Sequence, residues 1–321
     1  MMPAFSPFPA IYTAAHQDAV LFDRSQLGLL KISGATRLDL INRMSTQAVK
    51  QLSNGQGTAT ILTSDIGRMI DRLILYAAAD HVYTLTSEEN AGNIARYLLR
   101  FVFFNDDFHL EDVTPKTAIL GVYGPAAAAR LRPLFGDDVH LPLHHWRQHD
   151  LNGLPISLHH ADPVAGSGYL VICPAEAKNA VAALLQQTGI VHTADADAFE
   201  YLRIESGLPR HGREITLDYI PLEANLWDDV SFNKGCYTGQ EIIARLESRG
   251  RLAKKLFRLR PTQPIPAGSD LILAGRTVGT VTSAAAAPPG PVALGYLKTN
   301  ALTEDLSPLT ANDIPVTLLW E

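Results

Sequence analysis

Apolar runs and glycine turns recur through the first half of the chain at a long, regular spacing. Leu29-Leu30-Lys31-Ile32-Ser33-Gly34 reads as a strand closed by a glycine turn, and a helix follows over residues 35–44. Ninety residues later, Ile119-Leu120-Gly121-Val122-Tyr123-Gly124 repeats the pattern and feeds a helix over 125–134. A second pair echoes at an offset of 86: the strand 82–86 leads into a helix over 88–100, and the strand 168–172 into one over 175–187. Within the first half, 57–62 and 69–76 are β-rich runs separated by the turn residues Ser64-Asp65-Ile66-Gly67. Each half reads as a βαββα module, so the pattern predicts an α+β protein with two split modules and antiparallel sheets.

Downstream, residues 197–206 read as a helix ended by Gly207 and Pro209, in the order expected beyond a C-cap. Past Leu252 the texture becomes short apolar runs broken by Pro and Gly, at 256–259, 270–273, 278–282, 292–297 and 316–320. That spacing predicts a small β-barrel or sandwich. The alanine and proline tract 284–291 reads as a loop. The expected domains are 1–112, 113–251 and a C-terminal barrel at 252–321.

Composition narrows the function. The chain has 321 residues, of which 46% are hydrophobic and 19% charged, enough for two or three packed domains. A net charge of −6 argues against wholesale nucleic-acid binding. No apolar run approaches the roughly 18 residues of a membrane span. Residues 1–17 contain no Lys or Arg, unlike a secretory signal or transit peptide, so a cytoplasmic location without membrane contact is expected. The two cysteines, Cys173 and Cys236, are too few for a four-thiolate cluster site, and no metal ligands are assigned. Cys173 sits in the apolar run 169–173 and reads as core.

The densest chemical signal is Lys234-Gly235-Cys236-Tyr237-Thr238-Gly239-Gln240-Glu241. Thr238 and Glu241 have capping-box spacing, with Tyr237 and Ile242 placed as a hydrophobic staple, which predicts a helix beginning just after Cys236. The positive helix end and the Lys234 ammonium would both favour thiolate, making Cys236 and Lys234 candidate catalytic residues. A buried, inert cysteine in a glycine-rich turn is the competing reading. Residues 245–260 then carry seven basic side chains against one acid. This run is a solvated face or a contact for phosphate, a polycarboxylate tail or RNA.

At KGCYTGQE, extended by Tyr219-Ile220-Pro221-Leu222-Glu223-Ala224-Asn225-Leu226, Val230-Ser231-Phe232-Asn233 and Ile242-Ile243-Ala244-Arg245-Leu246, the chain resembles the YgfZ branch of a folate-binding family. That family includes the glycine-cleavage T-protein, an aminomethyltransferase. Weaker patterns reach back to Gly34 and to Gly67-Arg68-Met69-Ile70-Asp71-Arg72-Leu73. The resemblance implies a three-domain cloverleaf around a channel for tetrahydrofolate. It also implies an accessory role in assembly, repair or maintenance of iron–sulfur enzymes, including tRNA-modifying ones, with those client proteins as partners. Folate would contact Glu205 and Arg203 of an Arg-x-Glu segment together with Lys234, Cys236 and Tyr237. The T-protein places a carboxylate on the helix following the strand 82–86, and this reading aligns Asn93 there. An amide cannot act as a general base, so one-carbon aminomethyl transfer is the alternative activity.

Overall fold

The computed structural model describes residues 8–250 and 252–319. Trp320 of the last expected strand, Arg251 of the basic run and the start of the amino-terminal segment lie outside these residues, and the Arg249 side chain is not described. The first module contains β1 (Val20–Asp23), β2 (Leu27–Ser33), β3 (Gly57–Thr63), β4 (Met69–Ala77), β5 (His81–Glu88) and β6 (His109–Asp112). Its helices are α1 (Phe8–Gln17), α2 (Arg37–Met44) and α3 (Ala91–Leu99). The second contains β7 (Thr117–Tyr123), β8 (Trp146–Leu151), β9 (Leu154–Val164), β10 (Ser167–Pro174) and β11 (Val191–Thr193). It carries α4 (Ala127–Phe135), α5 (Lys178–Gln187) and α6 (Ala196–Glu205), and α7 (Gln240–Arg249) leads towards the C-terminal strands.

The duplication is visible in the sheet order. β3-β4-β5-β2 in the first sheet matches β8-β9-β10-β7 in the second, with the helix of each module inserted after its first strand. Each module thus has three strands between its two helices, one more than the βαββα reading allows. The edges are exchanged: β1 pairs with β7 in the second sheet, and β6 pairs with β2 in the first. Cores form where the periodicity places them. Leu30, Ile32, Leu73, Leu75, Ile94 and Leu98 share one cluster, while Leu120, Val122, Leu158, Val171, Val181 and Leu185 share another. Cys173 is buried in the latter, and burial pushes its thiol up to about 11.

Six strands close the C-terminal barrel: β12 (Lys254–Pro261), β13 (Asp270–Leu273), β14 (Arg276–Ala287), β15 (Gly290–Lys298), β16 (Thr310–Ala311) and β17 (Ile314–Leu319). The tract 284–291 is a hairpin rather than a loop. Ala284, Ala285 and Ala286 pair with Ala293, Val292 and Pro291. Alanine's weak strand preference is overridden by ladder bonds to a strongly apolar neighbour strand.

The capping box is also corrected. α7 begins at Gln240, and its N-cap is Gly239 at φ 82°, without a side-chain cap. The Thr238 hydroxyl faces Met44 Sδ at 3.8 Å, and its backbone N–H donates to the Arg43 carbonyl at 3.1 Å. Thr238 is therefore spent on fastening the segment to α2. A Cβ on Gly239 would lie 2.4 Å from the Ser64 carbonyl oxygen and 2.8 Å from Gly67 Cα, so glycine is required by close approach as well as by φ. Gly235 has no neighbour within 4 Å of such a Cβ, so close packing does not demand glycine there.

Candidate functional site

A cavity of about 630 Å³ opens between the two sheets and α6. One wall is aromatic: Phe22 from β1 and Phe199 from α6 meet edge to face at 5.3 Å, and Tyr123 from β7 lies 5.5 Å from Phe199. Beside it runs a charged, mutually paired strip. Arg24 bonds Glu88 at 2.9 Å, Glu88 also bonds Arg210, and Arg210 reaches Glu200 at 3.0 Å. The Arg24 guanidinium lies 3.7 Å over the Phe199 ring, while its Nε is buried with no hydrogen-bond partner among the described residues. Burial would raise the Glu200 carboxyl, but Arg203 and Arg210 outweigh it and hold the group below its ordinary range. An ionised carboxylate beside aromatic faces suits a flat heterocycle that carries N–H donors.

Arg203 lines this cavity, but its N–H donors are committed elsewhere. They go to both Glu200 oxygens, the Leu208 carbonyl at 3.0 Å, Glu214 at 3.1 Å and Ser283 at 2.6 Å. A guanidinium has five N–H groups, and these bonds tie α6 to barrel strand β14 while Arg203 remains a lining residue of the cavity. Glu205 is not among the lining residues. Its oxygens take the Tyr12 hydroxyl at 3.1 Å and the His16 ring at 2.8 Å, fastening α1 to α6. The helical period explains this: Glu200 and Arg203 share the face turned to the cavity, and Glu205 lies on the other side.

Lys234, Cys236 and Tyr237 also lie away from the cavity lining. Lys234 Nζ donates to the carbonyls of Asn42, Ser45 and Gln47 at 2.7, 2.8 and 2.7 Å, and sits 5.1 Å over the Tyr237 ring. The carbonyls favour its charge, whereas burial and nearby Lys50 hold the ammonium down at about 7. Tyr237 is buried and Cys236 is exposed. Three residues separate Cys236 from Gln240, the first residue of α7, so the thiol stands outside the first turn of the helix.

The loop that carries the segment is tied to the cavity wall through Asp229 and Arg72. Arg72, on β4, bonds Asp162 on β9 bidentately at 2.7 and 3.0 Å and Asp229 at 2.6 Å. Arg72 and Asp162 line the cavity, and the backbone carbonyl of Asp229 accepts the Thr46 hydroxyl at 2.6 Å. One arginine thus joins both modules and the cysteine-bearing loop. Sequence reasoning missed this clamp because Asp162 and Asp229 stand 90 and 157 residues from Arg72.

It also missed Asp71. This carboxylate is fully buried between the inward positions of Met69 and Leu73, and it accepts from Ser87 Oγ at 2.5 Å, Asn90 Nδ2 at 3.0 Å and the N–H groups of Arg72 and Ser87. Burial raises its pKa, and these donors and the charge of His211 oppose the rise. The signal was an acid at an inward position of an alternating strand, a rare and costly placement. Asn93, the expected counterpart of a catalytic carboxylate, donates to Asn90 and accepts from Arg96. Asp106 and Asp107 serve Arg43 and the Ala35 N–H.

The basic run divides between α7 and β12. Lys254 lies over Tyr219, Lys255 over Phe257, and Arg258 donates to the Glu205 carbonyl. Among the described residues no helix is long and apolar enough to cross a membrane.

Two duplicated α+β modules and a closed barrel define a three-part protein with a cavity between the modules. Residues 7–234 match the GCVT N-terminal domain and residues 254–321 the C-terminal β-barrel domain of CAF17; the chain belongs to the GCVT family with a CAF17-type barrel. A chloroplastic Arabidopsis thaliana protein with a provisional transferase name is 29% identical over 90% of this chain and 67% of its own length. An aminomethyltransferase of Halalkalibacterium halodurans is 26% identical over 88% of this chain and 79% of its own. The crystal structure of the glycine cleavage system aminomethyltransferase T from Bartonella henselae matches at a TM-score of 0.85 and 24% identity, covering 99% of this chain and 90% of the other, which establishes the fold.

Proposed function

We propose that this protein binds tetrahydrofolate in the cavity between its modules and serves as an accessory factor in the maintenance of iron–sulfur enzymes, with Cys236 meeting the client at the surface. The observation that carries the reading is the Asp229–Arg72–Asp162 tie, which bonds the loop bearing Cys236 to the wall of the cavity. A ligand that reorders that wall is coupled to the presentation of the thiol. Phe22, Phe199 and Tyr123 would hold the pteridine ring, Glu200 its N–H donors, and Arg24 or Arg210 a carboxylate tail. When bound, the folate supplies a reduced ring or a one-carbon unit. The cavity volume and donor set support that fit.

Anaerobic calorimetric titration with tetrahydrofolate tests the first half. Phe199→Ala should weaken binding by roughly tenfold or more, the loss of about 1.4 kcal/mol of ring contact. Complementation tests the second: Cys236→Ala should bind folate like the parent yet fail to restore iron–sulfur enzyme activity, and full restoration would remove the thiol from the function.

A second reading, folate-dependent aminomethyl transfer, is favoured by Asp71, a buried carboxylate with a raised pKa beside the cavity residues Ser87 and His211. Formation of methylenetetrahydrofolate from an aminomethyl donor, lost in Asp71→Asn, would support it over the accessory role.

A further inference from the structure

Ser87 stands between the buried carboxylate of Asp71 and the cavity. It is on β5, lines the cavity, and donates its hydroxyl proton to Asp71 Oδ1 at 2.5 Å, while its N–H holds Asp71 Oδ2 at 3.2 Å. The carboxylate's other acceptor directions are filled by Asn90 Nδ2 at 3.0 Å and the Arg72 N–H at 2.8 Å. Asn90 is itself oriented, because its Oδ1 accepts from Asn93 at 2.9 Å. Asp71 therefore has four donors around it and does not line the cavity.

A hydroxyl has one proton and two lone pairs. With the proton committed to Asp71, Ser87 presents only lone pairs to the cavity and acts there as an acceptor. The charge behind it strengthens that character, since a hydroxyl polarised by a carboxylate accepts more strongly.

We propose that Ser87, held by Asp71, is a specificity-determining acceptor that selects ligands offering an N–H at this point over analogues offering a lone pair. Resting on the folate reading above, this assigns the cavity to the reduced ring. Tetrahydrofolate carries N–H groups at ring nitrogens N5 and N8, where fully oxidised folic acid carries bare acceptors. An acceptor facing an acceptor is both unpaired and repelled, which is the situation in which polar sites discriminate most strongly. Asp71 acts through Ser87 and is a positioning residue in this role.

The test compares tetrahydrofolate with folic acid by anaerobic titration of the parent, Ser87→Ala and Ser87→Thr. The parent should prefer tetrahydrofolate by at least about tenfold. Ser87→Ala should reduce the preference to within about threefold, mainly by weakening tetrahydrofolate, and Ser87→Thr, which keeps the hydroxyl on a strand that accommodates threonine, should restore it. A preference unchanged in Ser87→Ala, or comparable binding of both ligands by the parent, overturns the role of Ser87 and leaves the folate reading standing. Binding of neither ligand by the parent overturns both.

Discussion

Replacing Arg72 with glutamine removes the cation shared by Asp162 and Asp229 and leaves a shorter, neutral polar side chain. The three side chains are 13%, 23% and 7% exposed, so solvent screens them poorly. Burial alone would raise the Asp162 carboxyl, but the charge and hydrogen bonds of Arg72, helped by His144, lower it from 3.8 to about 2. That difference corresponds to roughly 2 kcal/mol of folding stability at neutral pH. Because the folded pKa is the lower one, the contribution is complete above about pH 5 and is lost progressively as pH falls through about 2. Asp229 loses the same partner, so Arg72→Gln should cost about 3–5 kcal/mol at pH 7, the usual result of leaving buried charge unpaired. Urea unfolding followed by circular dichroism at pH 7 and near pH 2.5 measures this. The deficit should shrink by about 1–2 kcal/mol at the lower pH, and adding Asp162→Asn should recover part of it. A deficit below about 1 kcal/mol at pH 7, or one equal at both pH values, would refute the clamp as an energetic unit.

Two further outcomes follow from the cysteine loop. Gly239→Ala should destabilise by about 1–2 kcal/mol from the positive φ alone, and by more from the contacts with Ser64 and Gly67, whereas Gly235→Ala should be near neutral by the same thermal-melt comparison. A thiol-specific chromogenic reagent should titrate Cys236 promptly in the native protein and Cys173 only after unfolding; rapid reaction of both would contradict the packing around β10.

The division between what was legible and what was not follows the range over which each feature is set. In the first module β2 to β5 with their helices, and in the second β7 and β10 with theirs, were readable because alternation and glycine turns are local, whereas β8 and β9 were not read; the echo between Leu29–Gly34 and Ile119–Gly124 marked a duplication of four strands in the same order. The barrel was readable from texture, except where Ala284–Ala287 form a strand through pairing that alanine does not advertise. Thr238 and Glu241 spelled a helix cap that tertiary contacts with Met44 and Arg43 overrode.

By itself the sequence determined the α+β architecture, the barrel and the conspicuous KGCYTGQE segment, because side-chain period and turn chemistry act over a few residues. Only the tertiary structure decided which of those residues share a site. It turned Glu200 rather than Glu205 to the cavity, spent Arg203 on the fold, and put Cys236 at the surface. Through Arg72 it joined that surface loop to a carboxylate in each direction, and through Ser87 it brought Asp71 to the cavity's edge. Such convergences depend on how two sheets and a loop pack against one another, and no local pattern encodes them.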